Sequence, residues 1–171
     1  TIVIAFHMGD RLSKDFYLGD ITSDLLAGGD SARLYEHLIK GKSLFASVNA
    51  YISGDVDEGM FVFTGQLLPT TSEQEAEAAF WQEIALLLGA EISDYELEKV
   101  KNKFEANTLF GELNVMNKAM NLGYYSMIGD LPLINREIDI YHSLTKSEIA
   151  DFSKRVFTQE NSSTLIYRAT K

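Results

Sequence analysis

The sequence predicts an α+β fold of two layers, a mostly antiparallel sheet with helices packed on one face. Three features lead there. The predicted element order is β-α-α-β-β-α-α-α-α-β, without the repeated βαβ crossover that a parallel sheet requires. Two strand-like runs meet at a short turn-rich segment, as in a hairpin. Three helix starts carry a hydroxyl residue followed three positions later by glutamate, the pattern of a capping box.

The elements follow in order. Residues 2–8, Ile-Val-Ile-Ala-Phe-His-Met, form an apolar strand at the very start of the chain. Tyr17, Ile21, Leu25 and Leu26 recur at helical spacing from Ser13 to Ala27, and Gly28-Gly29 ends that helix. Asp30 or Ser31 caps a short helix running to about Lys40. Val48, Ala50 and Ile52 alternate with Ser47, Asn49 and Tyr51, the period of a half-buried strand. Turn residues 53–59 then lead into a second strand from Met60 to Leu68. Helices start at Ser72 (with Glu75), Ser93 (with Glu96) and Thr145 (with Glu148). Leu97, Val100 and Phe104 make one apolar stripe, and Leu109, Leu113, Met116 and Met120 continue a similar one. Pro132 opens a further helix near Leu133, and the strand Thr164 to Tyr167 closes the chain.

With 171 residues, 46% of them apolar and 23% charged, the chain reads as one globular domain, 1–171, with no linker or second core. It starts directly on a strand, without initiator Met or polar lead-in, and is expected to be a fragment of a longer multi-domain polypeptide. No run of about 18 apolar residues suggests a membrane partner. The formal charge of −10 argues against nucleic acid, whose phosphates demand a basic face. There is no cysteine, which removes disulfides, thiolate zinc sites and thiol nucleophiles. The expected setting is soluble, cytoplasmic or periplasmic.

Candidate chemistry is sparse. His7, His37 and His142 are far apart, whereas a helical zinc pair needs two imidazoles three or four residues apart. Arg33-Leu34-Tyr35-Glu36-His37 is H-x-x-E-H with arginine in place of the first histidine, and a guanidinium cannot ligate zinc. Glu36 and His37 are therefore expected on a helix surface. Asp55, Asp57 and Glu58 begin like a calcium loop, but Gly59 stands where another oxygen ligand belongs, so a solvated hairpin tip is expected. Gly28-Gly29-Asp30-Ser31 is too short for a phosphate loop, and no G-x-S-x-G elbow occurs. Phe80, Trp81 and the Tyr/Met cluster from Met116 to Met127 are expected to be packing residues, not a cofactor box. No catalytic and no metal residue is assigned.

Several segments nevertheless form a pattern. The opening strand, Leu25-Leu26-Ala27-Gly28-Gly29, Ser31-Ala32-Arg33-Leu34-Tyr35, Ser47-Val48-Asn49-Ala50, the stretch Ser93 to Asn102, and Thr145 to Phe157 with Glu160-Asn161-Ser162 come in one order. Together they resemble the second, inactive domain of insulinase/pitrilysin-type zinc metallopeptidases, the group that includes the mitochondrial processing peptidase. The resemblance implies a domain of a clam-shell peptidase whose zinc sits in a different, H-x-x-E-H-bearing domain. It implies companion domains or a paired subunit as partners, and an extended peptide as substrate. In such domains a Leu-Arg-x-x-x-x-Leu-x-Tyr stretch can lend an arginine and a tyrosine to the distant zinc. Laid on Leu38 and Leu44, that stretch puts Ile39 at the arginine and Ala46 at the tyrosine. Two parents fit: an active peptidase in which this domain belongs to the zinc-bearing half and does not need the pair, or an inactive relative serving as scaffold. An unrelated α+β binding module is the third reading.

Overall fold

The computed structural model describes residues 1–54, 56–89 and 92–168. Strand β1 (Ile2–Met8) is followed by α1 (Lys14–Ala27), a π-helical segment (Tyr35–Gly41) and the hairpin β2 (Phe45–Ile52) and β3 (Gly59–Leu67). Helices α2 (Glu73–Gly89), α3 (Asp94–Gly111) and α4 (Val115–Met127) come next. A short 3₁₀ helix (Leu131–Asn135), α5 (Glu137–Ser143), α6 (Lys146–Val156) and β4 (Ser162–Ile166) complete the chain. The described strands form one sheet in the order β2-β3-β1-β4, each pair antiparallel.

The continuous apolar run of β1 is sorted by this sheet into two faces. Ile2, Ile4, Phe6 and Met8 are buried beneath the helices, while His7 points to the opposite, open face and pairs in register with Met60. Phe61 and Phe63 of β3 and Phe45 of β2 extend the same inner layer. Gly65 is required there, because a Cβ at that position would lie 2.5 Å from Cε1 of Phe45. Above the sheet, α1, α2 and α6 supply Ile21, Leu26, Phe80, Ile149 and Phe152 to a single core. None of the described helices is long and apolar enough to cross a membrane.

The helix starts hold for the expected reason. Ser93 with Glu96 and Thr145 with Glu148 form full reciprocal capping boxes, and the Ser72 hydroxyl accepts the Glu75 backbone N–H. Two expectations need correction. The stripe from Leu109 to Met120 is not one helical run. Asn114 accepts N–H bonds from Met116 and Asn117 at 2.9 and 3.4 Å and starts a new helix, an asparagine at a cap overriding the apolar period. Pro132 sits in the 3₁₀ turn, and the α-helix beyond it begins only at Glu137.

Candidate functional site

The site grows from the junction of α1, the π-helical segment and β2. After α1, Gly29 adopts φ +133°, a conformation costly for residues with a side chain, and swings the chain outward. Ala32 and Leu34 are buried and anchor the segment that follows. A π-helix is uncommon and is often found at functional sites. This one places Leu38 in the core and leaves Ile39 half-buried on the flank. Ser43 then turns at φ +52°, the Leu44 N–H donates to Leu38 O at 3.0 Å, and β2 starts with a bulge between Phe45 and Ser47. The bulge leaves Ala46 out of register on the edge strand.

The result is a hollow of about 240 Å³ whose wall includes Tyr35, Ile39, Ala46, Ser47 and Asp30. The two positions singled out in sequence, Ile39 and Ala46, thus meet in one place although six residues separate them. Neither side chain donates, accepts or ligates. A hollow with these walls can hold a small apolar group and can supply hydroxyls from Tyr35 and Ser47; it offers no electrophile and no base at Ile39 or Ala46.

The surrounding motif residues are fastened to other elements. Arg33 donates two bonds to Glu96, at 2.9 and 3.1 Å. The arginine in the H-x-x-E-H-like frame therefore ties the π-helical segment to the start of α3. Glu36 pairs with Lys40 at 2.7 Å. His37 is half exposed, and its Nδ1 lies 2.5 Å from Oε2 of the buried Glu83 of α2, which also faces Lys42 at 3.4 Å. Lys101, buried, donates to the carbonyls of His142 and Leu144 at 2.8 Å each and so closes the end of α5. The three histidines go separate ways: His7 lies on the open sheet face, His37 on Glu83, and His142 on Glu105 at 3.0 Å. Among the described residues, no group of three His, Asp or Glu side chains is placed to hold a metal ion. Asp55 lies outside the described residues, and Asp57 and Glu58 are exposed near the hairpin tip.

The Glu96 carboxyl is held down to about 2, first by the Arg33 bond and then by the Ser93 cap. Its ordinary value near 4.5 applies in the unfolded chain, so its contribution to stability is complete above pH 4.5 and is lost as pH falls toward 2. Glu148, bonded to Lys14 and Thr145, shifts the same way. Comparison of wild type with Glu96→Gln isolates the first group. The expected outcome is a shallower fall of unfolding free energy between pH 5 and 2 in the variant, by up to about one proton's worth of slope. Equal slopes in urea titrations would remove the Arg33–Glu96 account.

A second polar cluster escaped sequence reasoning. Arg11, in the turn after β1, donates to Glu137 of α5 and to the Tyr17 hydroxyl of α1 at 3.2 Å. Tyr17 and Tyr125 also donate to Glu137, and Tyr141 donates to Asp20 at 2.6 Å. Arg11 further lies 4.1 Å above the Phe16 ring. Burial alone would lower the Arg11 pKa, but Glu137 outweighs it and the value rises. Burial, then the bond to Glu137, pushes the Tyr125 hydroxyl above its ordinary range. Every member of this cluster has a partner, which marks it as a clamp between α1, α4 and α5, not an open reactive centre.

The cluster Met116 to Met127 corrects another expectation. Of these residues Tyr125 is buried, whereas Met116, Met120, Leu122 and Met127 are exposed. Phe80 and Trp81 do pack as expected, Phe80 fully buried and Trp81 edge-on to Phe6.

Comparisons with known proteins bear on this geometry. The family described as the peptidase M16 inactive domain matches residues 1–104. An uncharacterized zinc protease of Rickettsia bellii is 20% identical over 170 residues, 97% of this chain and 40% of the relative. A protease from Helicobacter pylori superposes with a TM-score of 0.89 at 21% identity, over 95% of this chain and 40% of that one. An inactive peptidase domain from Bordetella parapertussis gives 0.90 at 21% identity, over 99% of this chain and 90% of that one. The chain thus spans about 40% of the length of the curated relative it matches.

Proposed function

This chain belongs to the peptidase M16 inactive-domain family, and from that premise we propose that it is the non-catalytic domain of a zinc metalloendopeptidase. It forms chamber wall and domain interface around an extended peptide. The observation that carries the reading is the hollow at Tyr35, whose wall includes Ile39 and Ala46, the two positions where the resemblance would put an arginine and a tyrosine. A wall that is shaped but chemically inert at that point suits enclosure of substrate and not bond cleavage.

The described residues do not fit a zinc ion, so metal chemistry is assigned to a companion domain in the same polypeptide or in a paired subunit. Zinc bound there would acidify a water molecule and polarise the scissile carbonyl. The role of this chain is to exclude water, hold the peptide and control opening, all of which raise rate without touching the reacting atoms. The missing arginine and tyrosine also favour a second reading, an inactive scaffold member of the family. The two separate on one observation, whether the parent polypeptide or its partner carries H-x-x-E-H and cleaves peptide.

Elemental analysis of the purified chain after dialysis against trace zinc is the direct test. The expected result is far less than one zinc per chain and no cleavage of a quenched peptide library. One tightly held zinc per chain would overturn the assignment and make His7, His37 and His142 the residues to mutate.

A further inference from the structure

We propose that the apolar end of α3 and the length of α4 form the surface on which the zinc-bearing companion domain of the parent polypeptide docks. The inference rests on the reading above that such a companion exists.

Three observations converge. Leu109 and Phe110 at the end of α3, Leu113 in the turn that follows, and Val115, Met116 and Met120 on α4 are between 51% and 83% exposed, in one contiguous stretch of chain. Lone exposed hydrophobics are normal, but a run of six large ones is the mark of an interaction site. A groove of about 440 Å³ opens along it, lined by Asn102, Glu105, Ala106, Leu109, Phe110 and Leu113. Secondly, charge is depleted there. Residues 106–127 contain one acidic residue, Glu112, and one basic residue, Lys118, in a chain of net −10. Loss of charge with enrichment in Met and aromatic residues is the composition of an interface centre, and flexible thioethers adapt to an irregular partner. Thirdly, α4 is fastened to its own domain mainly near its C-terminal end, through Tyr125 and the 3₁₀ turn, while the residues of its first two turns are exposed and touch the end of α3, where the Asn117 side chain donates to Gly111 O at 3.3 Å.

The occupant follows from the same facts. A surface helix that binds lipid carries many Lys and Arg beside its apolar face, and α4 has one lysine. A face this apolar suits a permanent interface more than a transient one. In both the Rickettsia and the Helicobacter relatives more than half of the chain lies outside the matched region, which supplies a permanent neighbour in the same polypeptide.

Hydrogen–deuterium exchange tests the surface in the 171-residue chain and in its full-length parent, both at low micromolar concentration, with zinc content measured in parallel. The expected result is that amides of residues 105–124 exchange at least about tenfold more slowly in a zinc-containing parent. Phe110→Glu and Met116→Glu in the parent should return them to the fast rate, with the far-ultraviolet circular dichroism unchanged. Equal exchange in the isolated chain and a zinc-containing parent would overturn this inference while leaving the proposed function standing. Protection that appears in the isolated chain as its concentration rises, with a doubled mass by light scattering, would overturn it in favour of a second copy. A parent without zinc or peptidase activity would defeat the underlying reading itself.

Discussion

Replacing Glu137 with alanine is expected to destabilise the domain by about 3–5 kcal/mol, the cost of leaving a buried charge without its partner. Arg11 and Glu137 have side chains only 5% and 11% exposed, and Glu137 also accepts from Tyr17 and Tyr125. Its loss strands a guanidinium and two hydroxyls at once. In a domain of this size that corresponds to a melting temperature lowered by roughly 6–20 °C. Glu137→Gln should fare little better, because it keeps an acceptor but not the charge that balances Arg11. A double-mutant cycle with Arg11→Met separates the clamp from its parts: the double variant should cost clearly less than the sum of the single ones. Additive costs, or a loss below about 1 kcal/mol for Glu137→Ala, would mean that water or a neighbour satisfies these groups and that no clamp exists.

That cluster also shows where sequence reasoning stops. Apolar alternation in Val48, Ala50 and Ile52 reports burial directly, because period two and a one-sided sheet leave one solution. The boxes at Ser93 and Thr145 report helix starts because the chemistry is local, within three residues. Ile39 and Ala46 could be paired beforehand because a family pattern fixed their spacing, and the structure places both on one hollow. Arg11 and Glu137 are 126 positions apart and carry no period, so nothing local foretells their contact. The α4 stripe misled for a different reason. Apolar spacing says that a helix face avoids water but not whether its own domain or another covers it. The π-helical turn was hidden likewise, since Leu34 and Leu38, four apart, suit an α-helix equally well.

Phe80→Ala is expected to cost about 3–5 kcal/mol, whereas Phe110→Ala should change the stability of the isolated chain by no more than about 0.5 kcal/mol. The two residues are the same side chain in opposite settings. Phe80 is fully buried, its ring stacked on Phe63 with centroids 4.1 Å apart and lying 5.8 Å from Trp81 and 6.4 Å from Phe6. It joins α2 to β1 and β3, so truncation opens a cavity that two strands and a helix cannot all collapse to fill. Phe110 is 71% exposed and has little to lose within this domain. Urea midpoints for both variants at unchanged m-value decide the matter. A small effect at Phe80 would displace the centre of the core from the α2–sheet contact. A large effect at Phe110 would mean that the end of α3 is already packed within its own domain, and the apolar face assigned to a companion would then already be covered.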